Sequence, residues 1–521
     1  MKKIYVIICL LGLTLSALLN QACNPDLLDT VNPNKLTTKE FWRTEKDAQL
    51  GVNACYAIFY RLGSWHRYLH WRFDLLSDEG YSMSPMVQTG EWTKFIYSDY
   101  NHDNNQTVIW REAYRGIFRA NQVLTYVPGI EIADAKKKDA YLGQAYFHRA
   151  YNYFHLAVLW EEVPLVTELQ NPGDQPQQVT LPEIWGQVEK DLLEASNLLP
   201  EEWTGAEKGR ITKGAAKALL VRAYMQQHLW EKAKEQLYWL VEGEGKKYYG
   251  LVDNYKYNFS HLTENNIESV FEIQFSDALN GGESDDKGAT NGHQRSIIFG
   301  LSGIGFRDGL ARPWLVDEYK KERTIDGKLD PRLRVSLLYK DVATDFPDEE
   351  TGKFYGKTWA EGKWGNDVYY RKYSRDDFRT TEDRHSQLNF RVIRYADVLL
   401  MYAECLNELG NTEDAYTYVN MVRARAQMRP LQEAYPEIGN DKQKFLSRLQ
   451  TERVLELNGE CVRWFDIKRW ELYNTPEGLA ALIARDPDYK NFVVGVSHRQ
   501  PLPSNEVANN PNMNCLLYTS D

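Results

Sequence analysis

Residues 452–470 read Glu-Arg-Val-Leu-Glu-Leu-Asn-Gly-Glu-Cys-Val-Arg-Trp-Phe-Asp-Ile-Lys-Arg-Trp, and this stretch indicates how the chain is held together. It contains three aromatic residues among three glutamates and four basic residues. Such charges can be buried only when they are paired, and arginine pairs best because its planar guanidinium meets a carboxylate with two hydrogen bonds. We therefore predict a structural clasp between helices. The alternative is that the same carboxylates form an active site.

Composition limits the classes of function. The 521 residues are enough to bury a large core and, by length alone, to form two or more domains. The formal net charge is −11, and the chain has no basic run that could neutralise phosphates, so nucleic acid is excluded as a partner. Aromatic residues make up 13% of the chain. They serve either as core or as stacking platforms for a sugar or peptide, and composition does not separate the two.

The N-terminus carries a targeting signal. Residues 1–22 form a predicted secretory signal peptide, in which Lys2 and Lys3 precede an apolar run. The run ends in Ala22-Cys23, which resembles a bacterial lipobox, so Cys23 is the predicted lipidation site. An ordinary signal-peptidase site is the alternative. No other segment reaches the ~20 apolar residues of a membrane span. Residues 23–35 are therefore predicted to tether the protein to the membrane through acyl chains alone.

Cysteine and histidine spacing predicts no metal site and no cofactor. His66 and His70 lie four apart, but Arg67 stands where a metalloprotease helix has glutamate. The remaining cysteines are scattered, so no particular disulfide or zinc site is favoured, and we interpret them as mostly buried small residues. They are Cys55, Cys405, Cys461 and Cys515.

Apolar residues recur at helical spacing in two blocks of the chain, 36–245 and 388–475. The residues between them, 246–387, are rich in glycine, aromatic and charged residues and lack regular periodicity. With a C-terminal segment, 476–521, the whole of 36–521 is predicted to be one domain.

Repeated spacings indicate how the helices pair. Tyr224 and Ala233 lie nine apart, as do Leu406 and Ala415, which is the spacing across the two helices of a tetratricopeptide unit. The clearest strand candidate is 266–275. The predicted fold class is therefore mainly α, with tetratricopeptide-like helical hairpins stacked into a scaffold, long irregular loops and a few short strands.

Further motifs occur in order along nearly the whole mature chain, namely Cys23, Phe41-Trp42, Ser77-Asp78-Glu79, Arg149-Ala150-Tyr151, Asp330-Pro331-Arg332, Ile393-Arg394-Tyr395 and Pro501-Leu502-Pro503. Together with the clasp, they resemble those of the SusD/RagB family of outer-membrane nutrient-binding lipoproteins. The clasp matches the family's glutamate-arginine start and its arginine-tryptophan-phenylalanine-aspartate core. Cys461 is a departure, because the family usually has glycine at this position.

The resemblance implies a SusD-like α-α superhelix with a ligand site on the opposite face, built by the irregular insertions, among them the loop-rich middle 246–387. This agrees with the concentration of functional residues on loops that a rigid scaffold holds. It also implies a lipoprotein of the outer membrane, facing outside, that caps a SusC-like TonB-dependent transporter. The delivered ligand would be an oligosaccharide or, in some members, a peptide. From the position of the loops, the predicted ligand-binding residues are Arg67, Asp78, Tyr81, Trp92, Phe306 and Arg307.

Two other functions compete with oligosaccharide binding. A glycoside hydrolase needs two carboxylates about 5–9.5 Å apart across a cleft, and the adjacent Asp78 and Glu79 do not provide that geometry. Residues 300–304 fail the nucleophile elbow at Ile304. The chain is therefore predicted not to be an enzyme. A peptide ligand remains open, because aromatic and acidic loops suit both ligand classes.

Overall fold

The computed structural model describes residues 41–96, 104–278 and 291–514. The predicted signal peptide, the lipidation site Cys23, the tether 23–35 and Cys515 lie outside these residues. Buried apolar side chains from Phe59 to Met513 form one contiguous hydrophobic core. A smaller core lies where the first helix packs, around Ala48 and Val123.

Helices dominate the first block, and polar side chains fix where they begin. Thr44 and Asp47 form a capping box at the start of the first helix. Asp134 and Thr212 accept backbone N–H groups at the starts of two later helices. The helices of this block are α1 (Glu45–Tyr56), α2 (Tyr68–Leu75), α3 (Val87–Thr93), α4 (Asn104–Tyr126), α5 (Ala135–Trp160), α6 (Leu181–Leu198), α7 (Lys213–Gln226) and α8 (Trp230–Val241).

The second block is also helical, and the middle region contains short helices. The middle has α9 (Arg295–Ile298), α10 (Trp314–Lys320), α11 (Arg332–Ser336), α12 (Val342–Asp345) and α13 (Trp359–Gly362). The C-terminal part has α14 (Tyr395–Glu408), α15 (Thr412–Arg425), α16 (Leu431–Ala434), α17 (Lys442–Leu457), α18 (Arg463–Arg469), α19 (Pro476–Arg485) and α20 (Ser504–Asn509).

Consecutive helices pack side by side, which confirms the predicted stack of helical hairpins. Helices α4 to α7 each pack on the next helix in the chain, and α14 packs on α15 and α17. Helix α8 packs on α14, so the two helical blocks form one continuous layer although 246–387 separates them in sequence. The mainly α fold class predicted from the sequence is therefore confirmed.

The strands are short and pair two by two. The predicted strand within 266–275 is confirmed as β2 (Ser269–Ile273), which pairs antiparallel with β8 (Phe390–Arg394). The other pairs are β1 (Gly80–Ser82) with β3 (Gly309–Ala311), β4 (Leu337–Leu338) with β7 (Tyr369–Tyr370), and β5 (Lys353–Phe354) with β6 (Lys357–Thr358).

The clasp packs on the middle region through buried ions. Glu452 and Glu456 of α17 are fully buried, and both accept hydrogen bonds from Arg332. Burial would raise the pKa of Glu456, but Arg425 and Arg394 outweigh burial and lower it to about 2. Six acids and six bases make up this buried ion network, so its formal charge is balanced. They are Glu268, Glu322, Asp330, Glu452, Glu456 and Glu460 with Arg332, Lys372, Arg394, Arg423, Arg425 and Arg448.

The cysteines within the described residues behave as the sequence predicts. Cys55, Cys405 and Cys461 are buried and unpaired. Cys461 has φ = +61°, the left-handed conformation that favours glycine, and this explains why a glycine is usual there in the similar family.

Candidate ligand-binding surface

The surface is built on the pairing of β1 with β3. Tyr81 lies opposite Leu310, and the backbone N–H of Met83 extends the pairing by donating to the carbonyl oxygen of Asp308 at 2.8 Å. The guanidinium of Arg312 lies 4.3 Å from the centroid of the Tyr81 ring. Burial raises the pKa of the partly exposed Tyr81 hydroxyl. The pairing therefore fixes a half-buried tyrosine ring at the surface, supported by an arginine.

Arg307 lies beside this pair on the loop that leads into β3. Its φ is +57°, and its Nε donates to a carboxylate oxygen of Asp367 at 2.6 Å. The hydroxyl of Tyr369 donates to the same oxygen at 2.9 Å. The hydrogen bond with Asp367 raises the pKa of Arg307 above its usual value. Arg307 is therefore a charged, partly exposed group held in one orientation.

Phe306 precedes Arg307 and projects from the same loop. Its backbone N–H donates to the carbonyl oxygen of Ile297 in α9 at 2.7 Å. The ring is 39% exposed, and the guanidinium of Arg384 lies 5.1 Å from its centroid. A large ring held at this exposure by backbone hydrogen bonds can stack on the apolar face of a ligand.

Arg67 lies near the acidic residue that follows Arg307. Asp308 is 5% exposed, and burial raises its pKa to about 6, although the charge of Arg67 and a hydrogen bond from Ser84 oppose this rise. Arg67 also donates from Nη2 to the sulfur of Met86 at 3.7 Å. The structure thus brings Arg67, Tyr81, Phe306 and Arg307 together around β1 and β3, and we call these four residues the β1–β3 surface.

Asp78 and Trp92 are not part of the β1–β3 surface. Asp78 is fully buried, and its two carboxylate oxygens accept hydrogen bonds from Arg463 of the clasp at 2.7 and 2.9 Å. Trp92 is 3% exposed, and the guanidinium of Arg72 lies 3.4 Å from its ring centroid. Both side chains are thus fully engaged inside the protein. Their placement identifies them as supports of the loop rather than as groups facing a ligand.

The structure adds residues that the sequence did not single out. Asp367 fixes Arg307, the charge of Arg67 acts on the buried Asp308, and Arg384 covers part of Phe306. The half-buried Trp359 lies with its ring centroid 6.3 Å from that of Tyr369, which binds Asp367. For Trp359, the sequence offered one signal, a tryptophan within an irregular and charged stretch. The roles of Asp308, Asp367 and Arg384 depend on contacts between residues far apart in sequence, which no local pattern indicates.

A groove of about 410 Å³ lies elsewhere, between α4, the 163–182 connector and α20, and none of the six predicted residues lines it. Its walls are already bonded to each other. The hydroxyl of Tyr114 donates to the carbonyl oxygen of Pro164, and the amide of Asn121 donates to that of Val166. The β1–β3 surface is therefore separate from this groove.

Two properties bear on the chemistry of the protein. Within residues 41–96, 104–278 and 291–514, no cluster of three or more histidine, cysteine or acidic side chains is arranged to hold a metal ion. In the same part of the chain, no helix combines the length and apolar character that crossing a membrane requires.

Comparison with known families identifies the class of protein. The family model described as "SusD family" matches residues 267–515, and the model described as "Starch-binding associating with outer membrane" matches residues 26–225. The two matches together span most of the chain, and the first includes most of the middle region. The chain therefore belongs to the SusD family.

Individual relatives match this chain over nearly the full length of both proteins. "SusD-like protein P25" of Formosa agariphila is 25% identical over 517 residues, covering 92% of this chain and 93% of the relative. A SusD superfamily protein from Bacteroides vulgatus is 24% identical with a TM-score of 0.77, covering 91% of this chain and 99% of that chain. Surface glycan-binding protein A from Bacteroides thetaiotaomicron, solved in complex with laminarihexaose, is 20% identical with a TM-score of 0.71, covering 91% and 100%. The two structures establish the fold.

Proposed function

We propose that this protein is a non-catalytic nutrient-binding protein that captures an oligosaccharide at the β1–β3 surface. The observation that carries the proposal is the presence of two partly exposed aromatic rings, Tyr81 and Phe306, beside the fixed guanidinium of Arg307. Sugar rings have an apolar face that stacks on aromatic rings and hydroxyl groups that need fixed hydrogen-bond partners. The β1–β3 surface offers both.

The comparisons support a glycan as the ligand. One structural neighbour was solved with laminarihexaose, and one matching family model is described as starch-binding. A peptide is the alternative ligand that the sequence leaves open, and it is an outcome of the test below.

A binding role fits the surface better than glycoside hydrolysis. A hydrolase needs one carboxyl group to protonate the leaving oxygen and a second to act as nucleophile or base. Asp308 is almost completely buried, and Asp367 is held by Arg307 and Tyr369. Neither carboxyl group is therefore placed to reach a glycosidic bond. We expect no new reducing ends when the protein is incubated with a bound glycan.

We further propose that the protein is attached to the outer membrane by lipid on Cys23, faces outside, and passes its ligand to a SusC-like TonB-dependent transporter. The sequence around Cys23 and the family to which the chain belongs support this location. Labelling of the protein with a radioactive fatty acid, lost in Cys23→Ser, tests the anchor. Co-purification with a TonB-dependent transporter from solubilised outer membranes tests the partner.

The binding role is tested on an array of glycans and peptides probed with the purified mature protein. We expect signals on glycans, and we expect Tyr81→Ala or Arg307→Ala to weaken affinity at least about tenfold, equivalent to about 1.4 kcal/mol. Tyr238→Ala, which removes an exposed tyrosine on α8, is the matched control and should leave the glycan affinity unchanged. Binding of peptides alone, or glycan binding that all three variants retain, would contradict the proposal.

A further inference from the structure

A second exposed aromatic group lies on the middle region. The rings of His261 and Phe378 are in contact, with centroids 4.2 Å apart, and Phe378 is 41% exposed. The same two segments are also joined by an ion pair, at 2.7 Å, between Lys256 and Asp377, the residue that precedes Phe378. Two segments more than 100 residues apart in sequence are thus fixed so that they present one ring to the surface.

Contacts connect this ring with the β1–β3 surface. Arg379, which follows Phe378, forms an ion pair with Asp383. The next residue, Arg384, places its guanidinium 5.1 Å from the ring centroid of Phe306. The segment 378–384 therefore runs between the two exposed phenylalanines, and charged and hydrogen-bonding groups lie along it.

The connecting segment is rigidly held from below. Arg375 is fully buried and binds both Glu382, at 2.6 Å, and Asp383, at 2.9 Å. The backbone N–H of Glu382 also donates to the carbonyl oxygen of Ile304, in the loop that presents Phe306, at 3.2 Å. The relative position of the two rings is thus set before a ligand arrives, which lowers the entropic cost of binding to both.

We propose that Phe378, supported by His261, is a second platform for the same glycan chain that the β1–β3 surface binds, so that the protein selects long oligosaccharides over short ones. This inference rests on the proposed function. A chain that reaches both platforms gains the second contact at a high effective concentration, so its affinity exceeds that of a chain that reaches only one. Arginine and aspartate side chains between the rings offer partners to the hydroxyl groups of the intervening sugars.

A protein partner is the competing occupant of this patch. Leu262, one residue after His261, is 80% exposed and has no group that stacks on a sugar or bonds to it. A protein interface would use Leu262 at least as much as Phe378, because both would be buried in it. Leu262→Ala therefore separates the two possibilities.

The experiment is a glycan array printed as length ladders, from disaccharides to decasaccharides, including the laminarin and starch series. For the wild type we expect affinity to rise with chain length. Phe378→Ala should keep the affinity for the shortest bound glycan and lose at least about tenfold on the longest, whereas Leu262→Ala should follow the wild type. Equal melting temperatures would exclude misfolding, and Phe378→Tyr, which keeps a ring, should retain the preference.

The outcomes distinguish the inference from the function on which it rests. If the wild type binds glycans and Phe378→Ala keeps the full length dependence, the second platform is wrong and the proposed function stands. If Phe378→Ala and Leu262→Ala both leave glycan binding intact but both weaken capture of a transporter protein, the patch is a protein interface and the inference is overturned. If the wild type binds no glycan of any length, the proposed function fails and the inference fails with it.

Discussion

Replacement of Asp466 by alanine tests whether the clasp holds the fold together. Asp466 is 3% exposed and accepts hydrogen bonds from Arg453, at 2.8 and 3.0 Å, and from Arg469, at 2.9 and 3.0 Å. Arg453 also pairs with Asp397, and Arg469 also pairs with Glu404. Removal of Asp466 therefore leaves two buried guanidinium groups with one carboxylate each instead of two.

Breaking a buried ion pair costs about 3–5 kcal/mol, because the charge that remains is neither solvated nor fully paired. The remaining carboxylates, Asp397 and Glu404, place Asp466→Ala near the lower end of this range. Asp466→Asn keeps the shape and one acceptor oxygen, so it should cost less. The surface pair of Glu242 and Lys246 provides a matched control, since Glu242→Ala should cost less than about 1 kcal/mol.

The free energy of unfolding is measured by urea denaturation followed by tryptophan fluorescence, and ligand affinity is measured on the folded fraction. We expect Asp466→Ala to lower the free energy of unfolding by about 3 kcal/mol and to leave the affinity unchanged. A loss below about 1 kcal/mol would show that the clasp does not depend on paired buried charge. A stable variant with lost affinity would place the clasp in the ligand site and refute the structural interpretation.

Three further predictions follow from buried groups near the β1–β3 surface. Trp92→Ala should lower the free energy of unfolding by about 3–5 kcal/mol, seen in urea denaturation, because Trp92 is buried against Arg72. Sequence analysis places Trp92 among the ligand-binding residues, whereas its burial predicts a loss of stability instead. Burial raises the pKa of Glu79 well above its usual value, although the charge of Arg463 opposes the rise. The fold is thus favoured when Glu79 is protonated and loses stability as pH rises above its unfolded-state pKa of about 4.3. The melting temperature of Glu79→Gln should therefore rise relative to that of the wild type as the pH is raised above this value. Equal pH profiles would contradict this assignment. Gly459→Ala should destabilise by at least about 1 kcal/mol, because φ is +69° and a Cβ atom would lie 2.7 Å from the Tyr370 ring; an unchanged urea midpoint would show that the turn adapts.

The scaffold could be predicted from the sequence because its signals are local. The spacing of Tyr224 and Ala233 reflects two helices joined by a short turn, and α7 and α8 do pack together. The mixture of aromatic and charged residues in the clasp predicted that its charges would be paired where they are buried, as Arg453 and Asp466 are. The partners from elsewhere, such as Arg332, were not predictable, because no local pattern records which distant arginine enters the network.

The candidate site was predicted only in part because burial is decided by distant contacts. Trp92 and Phe306 are both aromatic residues in irregular stretches, so the local sequence predicts ligand contact equally for both. Arg72 covers Trp92, whereas Phe306 follows a loop bound to α9 and stays 39% exposed. Likewise, Tyr81 meets Leu310 only through the pairing of β1 with β3, about 230 residues apart. The positions of the loops could thus be predicted from the sequence. Which of their side chains are exposed is decided by the pairing of segments that are distant in sequence.

The clasp and the β1–β3 surface are closer than the sequence indicates, because the clasp holds both segments that carry the surface. Arg463 binds Asp78, which lies two residues before β1, and Glu460 binds Lys372, which lies two residues after β7. The carbonyl oxygen of Gly459 accepts a hydrogen bond from Arg295 in α9, next to the loop that presents Phe306 and Arg307. Each of these contacts fixes the base of a surface segment and leaves its outer side chains free to meet a ligand. The buried charge of the clasp therefore supplies the rigidity that preorganised binding requires.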